Sequence, residues 1–454
     1  MLFDAILDRF VARAPLAVAA RGTLEYALAA EPLDTLFEQI VGPRTDRKLL
    51  FSTCTDLMAR VVCRVNRSVN TAYRADDTIP VSIAALYQRL PRLPLDAGRE
   101  LVRHTARRLE PLIRELGGAA ADALPGYRVK VLDGNHLART QRRLEPLRDV
   151  AAGPLPGQTL VVLDPALGLA LDVFPSVDGH AQERALMGPV LDSVAANDVW
   201  VADRNFCTTG ILLGIARRGG FFVIRRHAST PSWDDESEWT PAGRADTGTL
   251  EEQTIELLGP DAATLSVRRV RLTLDAPTRD RVQTIEILTN LPPSVADASC
   301  VAQLYRGRWT VEGLFLRLTT VLSCESNTLG YPPAALFAFC VALAASNAHA
   351  GVRAAVRGVH GAEAADELSD YYVSSELART TEGLDIAVPV ATWSTIGGWS
   401  VGEMVVWLRA VVGRAKLARY RKATRGPKKP KPRRTRFARK KHIATARLLR
   451  DEQT

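Results

Sequence analysis

At Tyr127 the spacing of apolar residues changes from helical to alternating, and that change constrains the fold more than any other feature. YRVKVLDGNHL reads as a strand ending at Asp133. LVVLDPALGLALDVFP reads as two strands joined through Asp164-Pro165 and Gly168, residue types that suit a tight turn. ERALMGPVLDSV (183–194) predicts a helix, and DVWVADRNF a buried strand ending at Asp203. TGILLGIARRG (209–219) predicts a second helix and GFFVIRRH (220–227) another strand. Strand, hairpin, helix, strand, helix, strand in this order requires a mixed α/β sheet with helices packed on it.

The flanking segments have other patterns. DTLFEQI (34–40), KLLFSTCTDLMARVVCRV (48–65) and GRELVRHTARRLEPLIREL (98–116) space apolar residues three and four apart, as helices do. Ser82 can cap a short helix from Ile83 to Leu90 that exposes Tyr87, Gln88 and Arg89. Two readings of that helix stay open: a groove-reading element with Arg89 on DNA, or a connector in a helical bundle. Residues 228–284 lose the regular pattern and hold Trp233 and Trp239 among acidic residues, with IELLG and LSVRRVRLTLD as short strands. TIEILTNLP (284–292) returns to a strand. The longest apolar run, Ala334 to Ala345, is too short to span a bilayer and predicts a buried helix, so no membrane partner is expected. The expected divisions are a helical DNA-binding region (1–120), a first part of the α/β core (121–227), a β-rich insertion (228–284), a second part of the core (285–350), a helical region suited to dimerisation (351–413) and a basic tail (414–454).

Charge is unevenly placed. Residues 414–450 carry 17 of the 59 Lys and Arg and no acid, leaving 42 basic and 48 acidic residues before position 414, a net of −6. The tail is expected to be disordered without a polyanion and to contact nucleic acid. The six cysteines show neither CxxC spacing nor a zinc-ligand pattern with the seven histidines, which predicts reduced thiols. Asp4, Asp8 and Arg9 interrupt the first apolar residues, so no secretory signal is expected and the chain is read as cytoplasmic.

LYRGRWTVEGLFLRLTTVL (304–322) predicts one helix that places Tyr305, Arg308 and Glu312 on one face. Such a polar stripe requires water, mutual pairing or a highly charged ligand. Strand-end Asp133 and Asp203, facing a helix-borne Glu312, suit a pair of hard divalent cations, Mg²⁺ or Mn²⁺. Two ions about 3.5–4 Å apart support phosphoryl transfer by activating a hydroxyl and stabilising the leaving oxygen.

In these residues the chain resembles the insertion-sequence-four family of bacterial DDE transposases, which have an RNase H-like core. VLDGNHL and WVADRNF match the family's first two acidic motifs, and Tyr305, Arg308 and Glu312 match three positions of Tyr-x2-Arg-x3-Glu-x6-Lys. The intervals of 70 residues from Asp133 to Asp203 and 109 from Asp203 to Glu312 leave room for the insertion. The resemblance implies that Asp133, Asp203 and Glu312 bind two metal ions and that Tyr305 and Arg308 hold the transposon-end backbone. It also implies excision through hairpin ends and strand transfer into target DNA, by a homodimer acting on double-stranded terminal repeats. Trp233, Trp239 or Trp309 would stack on an extruded base. One position departs: Thr319 stands where the family has lysine, and Arg317 lies about 160° away around the helix. Two other readings remain open, a decayed or domesticated transposase that only binds DNA and a metal-dependent nuclease on the same fold.

The tail gives the first prediction. Deleting residues 414–454 weakens general DNA affinity and flattens the slope of log K against log salt, because each lost phosphate contact no longer releases counterions. An unchanged slope in a binding titration would show that the tail does not contact DNA.

Overall fold

The computed structural model describes residues 5–43, 48–137, 154–260, 263–278, 281–326, 329–423 and 443–451. The first layer holds helices α1 (Ala5–Arg13), α2 (Pro15–Ala27), α3 (Ala30–Val41), α4 (Phe51–Val62), α5 (Val69–Arg74), α6 (Ile83–Arg89) and α7 (Leu95–Glu115). Ser82 caps α6 as expected, its hydroxyl accepting from the Ala85 N–H at 3.2 Å. Tyr87 and Arg89 are nonetheless half-buried, and the Arg89 guanidinium lies over the Phe37 ring at 5.3 Å. Only Gln88 of the three is exposed, so the helix packs as a connector rather than presenting Arg89 freely.

Ten of the strands form one sheet. β1 (Arg128–Leu137), β3 (Gly157–Asp164), β4 (Leu169–Ser176), β5 (Asp198–Ala202) and β6 (Phe221–Arg225) lie in the order β4-β3-β1-β5-β6. β1 runs parallel to β5, β5 parallel to β6, and β3 antiparallel to both neighbours. This is the mixed α/β core that the RNase H-like expectation requires. A short two-residue β2 (Pro154–Leu155) lies apart from it. Alternation along the strands sorts the side chains. Val131, Val161, Val199, Val201 and Val223 join the large core shared with the helical layers. Leu132, Leu160, Val162, Trp200, Phe222 and Ile224 face a smaller core under α8 (Met187–Leu191) and α9 (Thr209–Ala216). The helix expected over 183–194 is shorter: Glu183–Leu186 is a 3₁₀ turn and only α8 follows as α-helix.

The insertion differs from the short strands expected. It contains β7 (Trp233–Glu236), β8 (Thr240–Ala245), and two eleven-residue strands, β9 (Gly248–Leu258) and β10 (Thr264–Leu274). Together with β11 (Thr284–Thr289) they continue the same sheet as β6-β11-β10-β9-β7, with β8 beside β9. The periodicity in LSVRRVRLTL is obscured because arginines occupy both faces. Arg268 and Arg269 are buried here, paired with Glu252 and Glu286 at 2.7 Å.

The chain then returns as α10 (Ala298–Arg306), α11 (Trp309–Thr320) and the 29-residue α12 (Pro332–His360). α12 is long and apolar enough to cross a membrane by length alone, but 94% of its most apolar window is buried inside the fold, as a core helix requires. It is followed by α13 (Ala362–Glu367), α14 (Asp370–Ala387), α15 (Val390–Gly397) and α16 (Val401–Val412). Two described parts of the tail pair with the rest of the fold. Leu368 pairs with Arg421, and β12 (Ile443–Ala444) runs parallel to β2, followed by α17 (Thr445–Asp451). Arg447 on α17 holds Asp178 at 2.9 Å. Most of the Lys/Arg-rich run, residues 424–442, lies outside the described residues.

A side-chain amide joins α12 to the sheet. Fully buried Asn347 donates to the Ala170 carbonyl at 2.9 Å and accepts from the Ala170 N–H at 2.8 Å, acting as a strand partner for β4. Its amide also donates to Thr105 on α7 at 3.1 Å. Asn347→Ala strands both backbone groups of Ala170 and is expected to cost about 2–4 kcal/mol. A urea unfolding midpoint equal to that of the parent would contradict this role.

Candidate active site

Asp133 and Asp203 meet where the parallel ladder of β1 and β5 stops, after Leu132 and Ala202. Asp133 is not the last residue of its strand, since β1 continues to Leu137 against β3. It projects to the same face as Val131, towards α11. Asp203 leads into the 3₁₀ turn Arg204–Phe206, and its side chain does not cap that turn. Both carboxylates are thus presented at the end of the central sheet.

The expected single helix over 304–322 is two. α10 ends at Arg306 and α11 starts at Trp309. Through Gly307 the hydrogen bonds tighten to three-residue spacing, Arg308 N–H to Tyr305 O at 3.0 Å, Thr310 N–H to Gly307 O at 3.1 Å and Val311 N–H to Arg308 O at 3.2 Å. A side chain at Gly307 would crowd the Leu304 carbonyl at 3.0 Å, so glycine permits the bend. Tyr305 and Arg308 therefore sit on either side of a hinge, and both turn towards the carboxylates.

The contacts are specific. The Tyr305 hydroxyl donates to Asp203 Oδ1 at 3.2 Å. One terminal nitrogen of Arg308 donates to Asp133 Oδ2 at 2.9 Å and the other to Glu312 Oε1 at 2.9 Å. The Arg308 side chain is 8% exposed, Asp133 19% and Glu312 41%. The structure thus gathers Asp133, Asp203, Glu312, Tyr305 and Arg308, five residues taken from three separated segments. Burial pushes the Asp133 carboxyl up to about 6, against the pull of Arg308 and of a bond from the Gly134 N–H. Burial and then the Asp203 charge push the Tyr305 phenol up to about 12, so it remains a hydrogen-bond donor at neutral pH. Arg308 is raised despite burial, because Tyr305, Asp133 and Asp203 favour its charge. Its Nε is buried and has no partner among the described residues.

The donor set of three carboxylates fits a hard divalent cation. Among the described residues no three acidic, histidine or cysteine side chains already stand in ligating geometry. At this site a guanidinium lies between Asp133 and Glu312.

The tryptophans separate clearly. Arg226 and Arg269 lie over Trp233 at 4.8 and 4.9 Å, and Arg269 and Arg271 over Trp239 at 4.9 and 3.6 Å. Glu286 holds Arg226 and Arg269 at 2.8 and 2.7 Å, so these rings are committed to an arginine stack within the sheet extension. Trp309 is 60% exposed beside Arg308. Thr319 is half-buried, and its hydroxyl donates to the Phe315 and Leu316 carbonyls of its own helix, both at 3.1 Å. Arg317 faces Asp370 at 3.5 Å and does not replace a lysine at 319. From the first helical layer, however, Arg64 reaches the end of α11, donating to the Thr320 carbonyl at 2.8 Å and to Ser323 Oγ at 3.2 Å. Arg89 is not among the side chains in contact with the carboxylates.

Sequence reasoning missed Glu183. Its carboxylate lies against Gly134, accepts from Asn205 Nδ2 at 3.2 Å, and contributes to the raised pKa of Asp133. The available signal was a glycine inside a strand, which marks a close approach. Arg225, at the end of β6, also lies near enough for its charge to act on the Tyr305 phenol.

Residues 158–348 match the family model of the transposase DDE domain. The match spans Asp203, Tyr305, Arg308 and Glu312 and begins after Asp133. Over these residues the chain is similar to the transposase DDE domain, whose family comprises DNA-acting phosphoryl-transfer enzymes that generally use divalent metals. No curated protein matches the chain.

Asp133 gives a pH prediction. With a folded-state value near 6, above its ordinary 3.8, its contribution to stability is full below the ordinary value and is lost as pH rises through 6. Asp133→Asn cannot ionise, so in metal-free buffer its melting temperature gains on the parent between about pH 3.8 and about pH 6. A constant difference across that interval would contradict the burial argument.

Proposed function

We propose that this protein cleaves the ends of its own mobile DNA element and joins the freed 3′-hydroxyl to target DNA. The observation that carries the reading is the convergence of Asp133, Asp203 and Glu312 on the Tyr305–Arg308 hinge, inside a chain similar over residues 158–348 to the transposase DDE domain. The three carboxylates would hold two Mg²⁺ or Mn²⁺ ions, which supply Lewis-acid activation of the attacking and leaving oxygens. Arg308 and Tyr305 now satisfy the carboxylates, and end DNA would draw them onto its phosphates. A guanidinium suits that exchange because its planar fork matches carboxylate and phosphate alike. The buried Arg308 Nε without a partner is a further donor for such a phosphate.

Exposed Trp309 is the ring available to stack on an extruded base, which favours it over Trp233 and Trp239 for a hairpin route of excision. Arg225 would add a phosphate contact beside Tyr305. The enzyme would act on double-stranded terminal repeats as a homodimer, the insertion-sequence-four type of reaction.

Glu312→Gln is expected to abolish metal-dependent cleavage of the element's end, with binding of that end largely unchanged. Full cleavage by the variant would overturn the assignment. A second reading, a transposase that retains only DNA binding, draws on Thr319, whose hydroxyl is engaged by its own helix. End cleavage by the purified parent protein in Mg²⁺ or Mn²⁺ excludes it.

Arg64 would supply the charge that Thr319 lacks. Arg64→Ala is expected to weaken end binding and lower the salt slope by about 0.9, the loss of one phosphate contact. Adding Thr319→Lys to that variant should restore both. A salt titration unchanged by Arg64→Ala would remove Arg64 from the interface.

A further inference from the structure

Asp133 and Asp203 are on neighbouring strands, but each lies beyond the last hydrogen-bonded pair of the parallel ladder, Leu132 with Ala202. The backbone ladder therefore does not fix the distance between them. On the face of β1 opposite Asp133, another element spans the gap. A Cβ at Gly134 would fall 2.0 Å from Glu183 Oε1 and 2.7 Å from its Cδ, so the carboxylate rests on the β1 backbone in the space that a side chain there would occupy. The other oxygen, Oε2, accepts from Asn205 Nδ2 at 3.2 Å, two residues beyond Asp203. The adjacent Arg184 donates through Nε to the Asn205 carbonyl at 2.7 Å. The 3₁₀ turn Glu183–Leu186 thus touches the residue after Asp133 and holds the turn that follows Asp203.

We propose that Glu183 is a positioning residue that braces the Asp133 and Asp203 segments at the spacing a shared divalent cation needs. It acts through Asn205 and Gly134 and does not itself contact the cation. A ligand pair presented at a ladder end is held by whatever bonds lie behind it, and loss of such outer bonds generally lowers metal affinity about 10–100-fold.

The inference rests on the reading of Asp133 and Asp203 as cation ligands. The test is Mn²⁺ binding to the full-length protein without DNA, followed by electron paramagnetic resonance of the free ion. Glu183→Ala is expected to lower Mn²⁺ affinity about tenfold. Glu183→Gln is expected to recover most of that loss, since its amide oxygen still accepts from Asn205. Asn205 is exposed, so Asn205→Ala cuts the same brace without disturbing the core and should match Glu183→Ala. Equal Mn²⁺ affinity in the parent and Asn205→Ala would overturn the proposal. So would a Glu183→Gln variant as weak as Glu183→Ala, which would mean that charge and not position matters. Asp203→Asn is the control that separates the two readings. If it leaves Mn²⁺ binding intact, the cation site itself is wrong; if it abolishes binding while the brace variants do not, only the brace fails.

Discussion

The site depends on one guanidinium held between two carboxylates. Arg308 joins Asp133 on the central sheet to Glu312 on its own helix, each at 2.9 Å. Without it, a largely buried Asp133 would lose the basic partner that the described residues give it, and the penalty for leaving one member of a buried pair uncompensated is about 3–5 kcal/mol. The bend at Gly307 makes the bridge possible, because it lets Tyr305 and Arg308 approach the sheet from successive helices rather than from one straight rod. A cation and a phosphate together could replace every bond this arginine makes. The same contact that stabilises the free site therefore stands where divalent ions would be bound, which couples the carboxylates to whatever anion the arginine prefers.

The helix that carries Glu312 is anchored from behind. Arg317 on α11 and Arg353 on α12 both hold Asp370 at the start of α14, at 3.5 and 2.5 Å. Burial lowers the Arg317 pKa, and Asp370 offsets that cost. This fixes α11 against the C-terminal helical layer, so Glu312 is set by two layers at once: the sheet through Arg308 and the C-terminal helices through Arg317. It also explains why Arg317 is not available for DNA, whatever its sequence distance from the glutamate.

Much of this was legible in the sequence. The α/β core was readable because YRVKVLD and DVWVAD carry apolar residues in strand spacing, and Asp164 does serve the hairpin, accepting from the Ala166 and Leu167 N–H groups at 3.1 Å. Three-and-four spacing correctly put Tyr305, Arg308 and Glu312 together, although the helix between them breaks. The break was missed because one glycine in a helical pattern is usually tolerated. The sheet extension was read as short strands because its inward positions include Arg268 and Arg269, neutralised by acids on neighbouring strands that no local pattern reveals. Glu183 was invisible for the same reason, since its partners lie 49 residues before it and 22 after it. The last part of the tail was called disordered from its charge, yet β12 and α17 find backbone and acidic partners near β2 and Asp178.

The central claim is that the carboxylates now spanned by Arg308 are a divalent-cation site from which end DNA draws the guanidinium. The direct measurement is an anomalous difference map from crystals of the protein bound to its element's end and Mn²⁺. The account predicts a manganese peak in contact with both Asp133 and Asp203, with the Arg308 guanidinium moved onto a backbone phosphate. A map with end DNA in place, no peak at these carboxylates, and Arg308 still joining Asp133 to Glu312 would contradict it.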